Sequence, residues 1–189
     1  MRVVISGTHG SGKSTLIGDF AAAHREWEIL PDPFEFIDAA EESPGAAVFF
    51  RQLRIAAERL LEPSDRSVLA ERGPLDFLAY LHALESLGRL RPSSDLLERG
   101  SELTRLSMAE VDLLVLLPLS EAAPIEIGAD EDLELREAMD LSLLELADDP
   151  DLAGAARVVE ITGDHARRLA RLEGAIDGRA PAAPGILAE

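Results

Sequence analysis

Gly7-Thr8-His9-Gly10-Ser11-Gly12-Lys13-Ser14-Thr15 contains the only lysine among 189 residues; every other basic side chain except histidine is arginine. A broad guanidinium fork and a slim ammonium on a flexible stem are not interchangeable. Codon bias in a GC-rich genome accounts for the scarcity of lysine elsewhere, but not for where the survivor stands. Glycines at this spacing let consecutive backbone N–H groups turn inward and cradle phosphate, and a following helix N-terminus adds a favourable dipole. Lys13 would then reach the β- and γ-phosphates of a nucleotide, and Ser14 would offer its hydroxyl to Mg²⁺. Gly7, Gly10, Ser11, Gly12 and Thr15 complete the nucleotide-binding loop. His9 belongs to it by position, with its ring expected to face solvent.

The flanking residues must hold such a loop open. Residues 2–6 (Arg-Val-Val-Ile-Ser) read as a short, buried, β-branched strand, and residues 15–24 as a helix with Leu16, Phe20 and Ala23 on one face. A Gly-x4-Gly-Lys-Ser pattern between strand and helix is a P-loop. Further strands are expected at 26–30, 66–71, 111–117 (the most apolar run) and 157–162. Helices are expected from 44 or 45 to 61, 74 to 87, 92 to 108, 132 to 146, and from Asp164-His165 onward. In the 45–61 helix, Val48, Phe49, Leu53, Ala56 and Leu60 share the inward face. Pro74 and Asp76 suit the first turn of the 74–87 helix, and Gly88 its C-terminal end. Strands alternating with helices imply a parallel sheet with right-handed crossovers. The expected class is α/β: a three-layer P-loop NTPase fold of about five parallel strands, with helices on both faces and a helical lid at about 120–150. Residues 1–177 would form one domain, and 178–189, rich in Gly, Pro and Ala, a frayed tail.

Ligands of such sheets gather at the carboxyl ends of the strands. Those ends carry the P-loop, Asp32, Glu71-Arg72 and Thr162-Gly163-Asp164. Two carboxylates and an arginine around a triphosphate supply what phosphoryl transfer needs: metal placement, a base and charge neutralisation. Each has a plain alternative. Asp before Pro is a common turn former, and Glu71 with Arg72 could be an ion pair capping the sheet. Gln52 is the only glutamine and lies between Arg51 and Arg54. A solvated polar face is the plain reading there, and Arg51 or Arg54 could instead hold an anionic group of a substrate.

A net charge of −18 argues against nucleic acid or an anionic membrane as partner. From Glu110 to Asp151 the only basic residue is Arg136, and the rest of the chain is near neutral by comparison. Most of that acidity reads as solvated helix surface. The absence of cysteine excludes disulfides and thiolate metal sites. With no long apolar run and no signal peptide pattern, a cytoplasmic protein is expected. The apolar helices at 74–87 and 92–109 offer a possible homodimer face.

The Gly7–Thr15 loop, Asp32-Pro33, Glu71-Arg72-Gly73-Pro74-Leu75-Asp76 with Tyr80, and Ile161-Thr162-Gly163-Asp164 together resemble the P-loop small-molecule kinase superfamily. That group includes deoxynucleoside kinases, thymidylate-kinase-like enzymes and the AAA-type ATP-binding domain that phosphorylates ribosylnicotinamide. The similarity spans roughly residues 1 to 176. It implies ATP and Mg²⁺ as cofactors, with Gly163 and Asp164 beside the nucleotide. It implies that Asp32, in place of a Glu-Pro pair, takes the proton of the acceptor hydroxyl. Glu71 would stand near Mg²⁺ with Ser14, and Arg72 near phosphate. Gln52 matches a glutamine that reads a base edge, placing Asp32, Arg51, Gln52, Arg54 and Arg72 around the acceptor. The departure lies in the lid, which in these kinases carries several arginines and here offers Arg136 alone.

The expected activity is ATP-dependent transfer of the γ-phosphoryl group to a small acceptor: a nucleoside, nucleotide or related metabolite. Lys13, Asp32, Glu71, Arg72 and Arg136 would be the catalytic set. The alternative is a P-loop ATPase acting as a switch or accessory protein without such an acceptor. A GTPase switch is excluded more firmly, because a chain without asparagine cannot contain Asn-Lys-x-Asp.

Overall fold

The computed structural model describes residues 1–36, 45–89, 94–119 and 132–178. Five short strands are laid down in the chain: β1 (Arg2–Ser6), β2 (Glu28–Leu30), β3 (Val68–Glu71), β4 (Leu113–Leu116) and β5 (Arg157–Glu160). All pair in parallel, in the order β2-β3-β1-β4-β5. The sheet is interleaved with α1 (Lys13–Ala23), α2 (Ala46–Leu61), α3 (Pro74–Ser86), α4 (Ser94–Met108), α5 (Leu133–Ala147), α6 (Pro150–Ala153) and α7 (His165–Ile176).

The period of two along a strand sorts the core into two layers. Val4 of β1 with Leu114 and Leu116 of β4 joins α2, α3, α4 and α5 on one face. Val3 and Ile5 with Leu113 and Val115 join α1 and α7 on the other. Strands buried on both faces read as unbroken apolar runs rather than alternations, which is why residues 111–117 are conspicuous in the sequence.

The strands are shorter than their apolar runs. Arg66 lies outside β3, and its side chain donates to the carbonyls of Arg25, Glu26 and Trp27, just before β2. Two elements escape the sequence pattern. Pro33–Phe36 forms a 3-10 turn, and α6 is a single turn capped by Asp149, whose carboxylate accepts from the Asp151 N–H at 2.9 Å. Both are too short to show a period.

The region expected as a helical lid includes α5. Met139 and Leu143 of α5 are buried in the core against α3, while residues 120–131 of that region lie outside the described residues. The expected tail is likewise outside them from residue 179 on. Of the two apolar helices noted in the sequence, α3 is enclosed within the chain, Leu75, Leu78, Ala79 and Leu81 all being 0% exposed, whereas Leu106 of α4 is 57% exposed. Among the described residues, no helix is long and apolar enough to cross a membrane.

Candidate functional site

The carboxyl ends of β1, β2 and β3 converge on the Gly7–Thr15 loop. Gly7 leaves β1 where any side chain would collide: a Cβ there would lie 2.8 Å from the Leu117 carbonyl oxygen. Gly12 closes the loop at φ 89°, a left-handed conformation that glycine adopts without steric cost, and caps α1. Lys13 is the first residue of α1. Its side chain turns back into the loop, Nζ donating to the Thr8 carbonyl at 2.7 Å and to Ser11 Oγ at 3.4 Å. Burial, with the Arg72 charge second, pushes the Lys13 ammonium down from 10.5 to about 7, while Asp76, Glu71 and Asp32 pull it upward. The strand-end groups therefore act on the lysine together. A polyanion in the loop would restore its charge.

Ser14 follows on α1, and its Oγ donates to Glu71 Oε1 at 2.7 Å. Glu71 stands at the end of β3, opposite Ile5 of β1 in the sheet register. A hydroxyl and a carboxylate oxygen in contact at the mouth of the loop form a hard oxygen pair of the kind Mg²⁺ takes. The residues present thus fit the ion.

Arg72 occupies an unusual backbone position: φ is 63°, and it is the one non-glycine at positive φ among the described residues. Such strain persists only where the surroundings over-determine it. Here they do. The Arg72 N–H donates to the Ile5 carbonyl at 3.1 Å, its Nε donates to Asp32 Oδ2 at 2.8 Å, and its guanidinium lies 5.6 Å from the centre of the Tyr80 ring. The expected alternative of a Glu71–Arg72 ion pair is not what the fold builds: Glu71 turns to Ser14 and Arg72 to Asp32. Asp32 is the turn former of its plainer reading and the ion-pair partner of Arg72 as well. Oδ1 accepts from the Phe34 N–H at 3.0 Å, holding the 3-10 turn, and Oδ2 takes Arg72. Each oxygen keeps a further lone pair.

Beside this pair, Tyr80 stacks on Phe49 of α2, ring centres 4.5 Å apart and planes 1° from parallel. Gln52, one turn along α2 from Phe49, is 2% exposed, and its Oε1 has no hydrogen-bond partner. The solvated-face reading of Gln52 therefore falls, because its side of α2 is the packed side. Arg51 and Arg54 are on the exposed side, with Arg54 donating to Glu58 at 3.3 Å. Arg136 reaches the loop from α5, its Nε donating to the His9 carbonyl at 2.9 Å. His9 itself is exposed, as are Thr15, Gly163 and Asp164. Asp164 caps α7, accepting from the Arg167 N–H at 2.9 Å.

Two residues behind the site are absent from the sequence expectation as functional groups. Asp76, 0% exposed, accepts from Ser6 Oγ at 2.6 Å and from the N–H groups of Gly7 and Gly73, each at 2.9 Å. Burial pushes its carboxyl up, and Arg72 with these donors pulls it down. Its place in the first turn of α3 is legible in sequence, but its grip on Gly7, 69 positions away, is not. Arg168 of α7 donates from Nη1 to the Ser11 carbonyl at 2.7 Å. The available signal was an arginine in the apolar stripe of α7, in step with Leu172 and Ala175.

A family model described as an AAA domain matches residues 2–168. No match emerges among curated proteins. Among solved structures, thymidylate kinase from Candida albicans is similar at a TM-score of 0.64 and 16% identity, over 94% of this chain and 91% of that one. Deoxyadenosine kinase from M. mycoides is similar with products dCMP and dCDP bound (TM-score 0.61, 15% identity, 94% of this chain and 99% of that one). It is also similar with dATP bound (TM-score 0.62, 15% identity, 94% and 100%). At such identities the likeness establishes a P-loop kinase-like fold.

Proposed function

This chain belongs to the AAA domain family, and from that footing we propose that it is a Mg²⁺- and ATP-dependent phosphotransferase acting on a small acceptor. The acceptor class is a nucleoside, nucleotide or related metabolite. One observation carries the reading: Lys13, the Ser14–Glu71 pair and the Asp32–Arg72 pair meet at one end of the sheet, around an anion-binding loop.

The P-loop N–H groups and Lys13 would hold the β- and γ-phosphates, Ser14 and Glu71 would hold Mg²⁺, and the ion when bound would neutralise phosphate charge. Asp32 orients the acceptor hydroxyl and takes its proton as the oxygen bonds to the γ-phosphorus and ADP leaves. Lys13, Arg72 and Arg136 stabilise the equatorial oxygens. The work is positioning and electrostatics rather than covalent catalysis. Gln52 Oε1, buried without a partner near the stacked Phe49 and Tyr80 rings, would accept from a donor on a planar ring of the acceptor. On this reading residues 1–177 work as one domain in the cytoplasm, with 178–189 as a tail.

A second reading, an ATPase serving as a switch without a small acceptor, is favoured by one feature: Arg136 is the only basic residue from Glu110 to Asp151. The two are separated by turnover. With Mg-ATP alone, ADP release is expected to be slow, and to rise sharply when a pool of nucleosides, nucleotides and related metabolites is added. Stimulation by a protein partner and by no metabolite would overturn the kinase reading.

A further inference from the structure

Arg168 is less than one-tenth exposed, its Nε lacks a partner, and it joins none of the ion pairs among the described residues. A buried cation without a carboxylate is costly unless something else compensates it. What it does contact is the Ser11 carbonyl, 157 positions away in sequence and inside the P-loop. The turn before α7 is secured to aim it. Asp164 caps the helix, and Arg171 donates to the Thr162 carbonyl at 3.2 Å.

The contact has a consequence for the loop. In a planar trans peptide the C=O and the following N–H point in opposite directions, and there is no cis bond in the described chain. Drawing the Ser11 oxygen outward to Arg168 turns the Gly12 N–H inward, toward the cradle that Lys13 borders. The same guanidinium places a positive charge behind the loop, where the counter-charge it lacks would be a bound polyphosphate.

Resting on the phosphotransferase reading, we propose that Arg168 is a positioning residue of the phosphate site. It orients the Ser11–Gly12 peptide and supplies from α7 part of the positive charge that the arginine-poor lid does not. The ligand class is a polyphosphate chain, independent of the base attached to it.

The test uses inorganic tripolyphosphate with Mg²⁺, titrated calorimetrically into the full chain. In Arg168→Met the Kd is expected to rise about tenfold or more, the scale of a lost charged hydrogen bond. The unliganded protein's melting temperature should stay near that of the wild type. Arg168→Lys, which keeps the charge and a donor but not the guanidinium fork, should bind more tightly than the methionine variant and more weakly than wild type. Wild-type affinity in Arg168→Met, or an Arg168→Lys as weak as the methionine variant, would overturn the proposal while leaving the kinase reading in place. A wild type that fails to bind tripolyphosphate removes both. Should the methionine variant not fold, the wild-type protein still decides: its Gly12 amide proton must move downfield on adding tripolyphosphate, and an unmoved resonance counts against the role.

Discussion

Arg72 Nε donates to Asp32 Oδ2 at 2.8 Å, joining the ends of β3 and β2 through side chains that are 7% and 20% exposed. The pair makes Asp32 answerable to two different measurements. Asp32→Asn keeps an oxygen for Arg72 but loses the base. Its kcat is expected to fall by about a hundredfold or more, with the Kd for ATP nearly unchanged. Asp32→Ala strands the buried guanidinium and should also lower unfolding stability by about 3 kcal/mol. Steady-state kinetics and urea denaturation separate the two effects. A folded Asn variant with wild-type kcat removes Asp32 from the chemistry.

The Ser14–Glu71 contact yields a metal prediction. Glu71→Gln should raise the Mg²⁺ concentration for half-maximal turnover by about tenfold, since one hard oxygen ligand is lost. Ser14→Ala should act in the same direction. Because the groups touch, the double variant should lose less than the two single effects combined. Full additivity in Mg²⁺ titrations would mean that they serve separate roles.

Lys13 titrates at about 7 rather than 10.5, chiefly through burial. Between those values the unfolded chain binds a proton that the folded chain has released, so stability from this group rises with pH across that window. Below about pH 7 the full penalty of a buried ammonium applies. Lys13→Met should therefore flatten the pH dependence and raise the melting temperature of the unliganded protein at about pH 7. Only the N-terminal amine competes with Lys13 for an amine-directed reagent, so peptide mapping after labelling reads its state directly. Mg-ATP should protect it.

Asp76 satisfies three donors from a fully buried position. Asp76→Ala leaves the Ser6 hydroxyl and the Gly7 and Gly73 N–H groups without their acceptor, a cost of about 2–4 kcal/mol. Faster hydrogen exchange at the Gly7 amide should accompany weaker ATP binding. Unchanged exchange there would show that the loop's entry is held by other contacts.

Much of this protein is local in origin and was therefore legible. Residues 2–15 carry strand, turn and helix signals in succession, and the glycines with Lys13 specify a phosphate loop from chemistry that neighbours in sequence share. The 45–61 helix shows its apolar period, and Gly73-Pro74 marks the start of the 74–87 helix. Short elements without a period, Pro33–Phe36 and Pro150–Ala153, were not legible.

Partnership was decided by tertiary structure. From sequence alone Glu71 and Arg72 are adjacent opposites and Gln52 is one polar residue between two arginines. Alternating side chains at a strand end diverge, so the fold sends Glu71 to Ser14 and Arg72 to Asp32. The helix period turns Gln52 toward the packed interior while Arg51 and Arg54 face solvent. Arg168 and Asp76 reach the loop only because α7 and α3 pack beside β1, across 157 and 69 positions of chain. The loop's residues and their order are written in the sequence. The direction in which its peptides point is set by side chains that only packing can deliver.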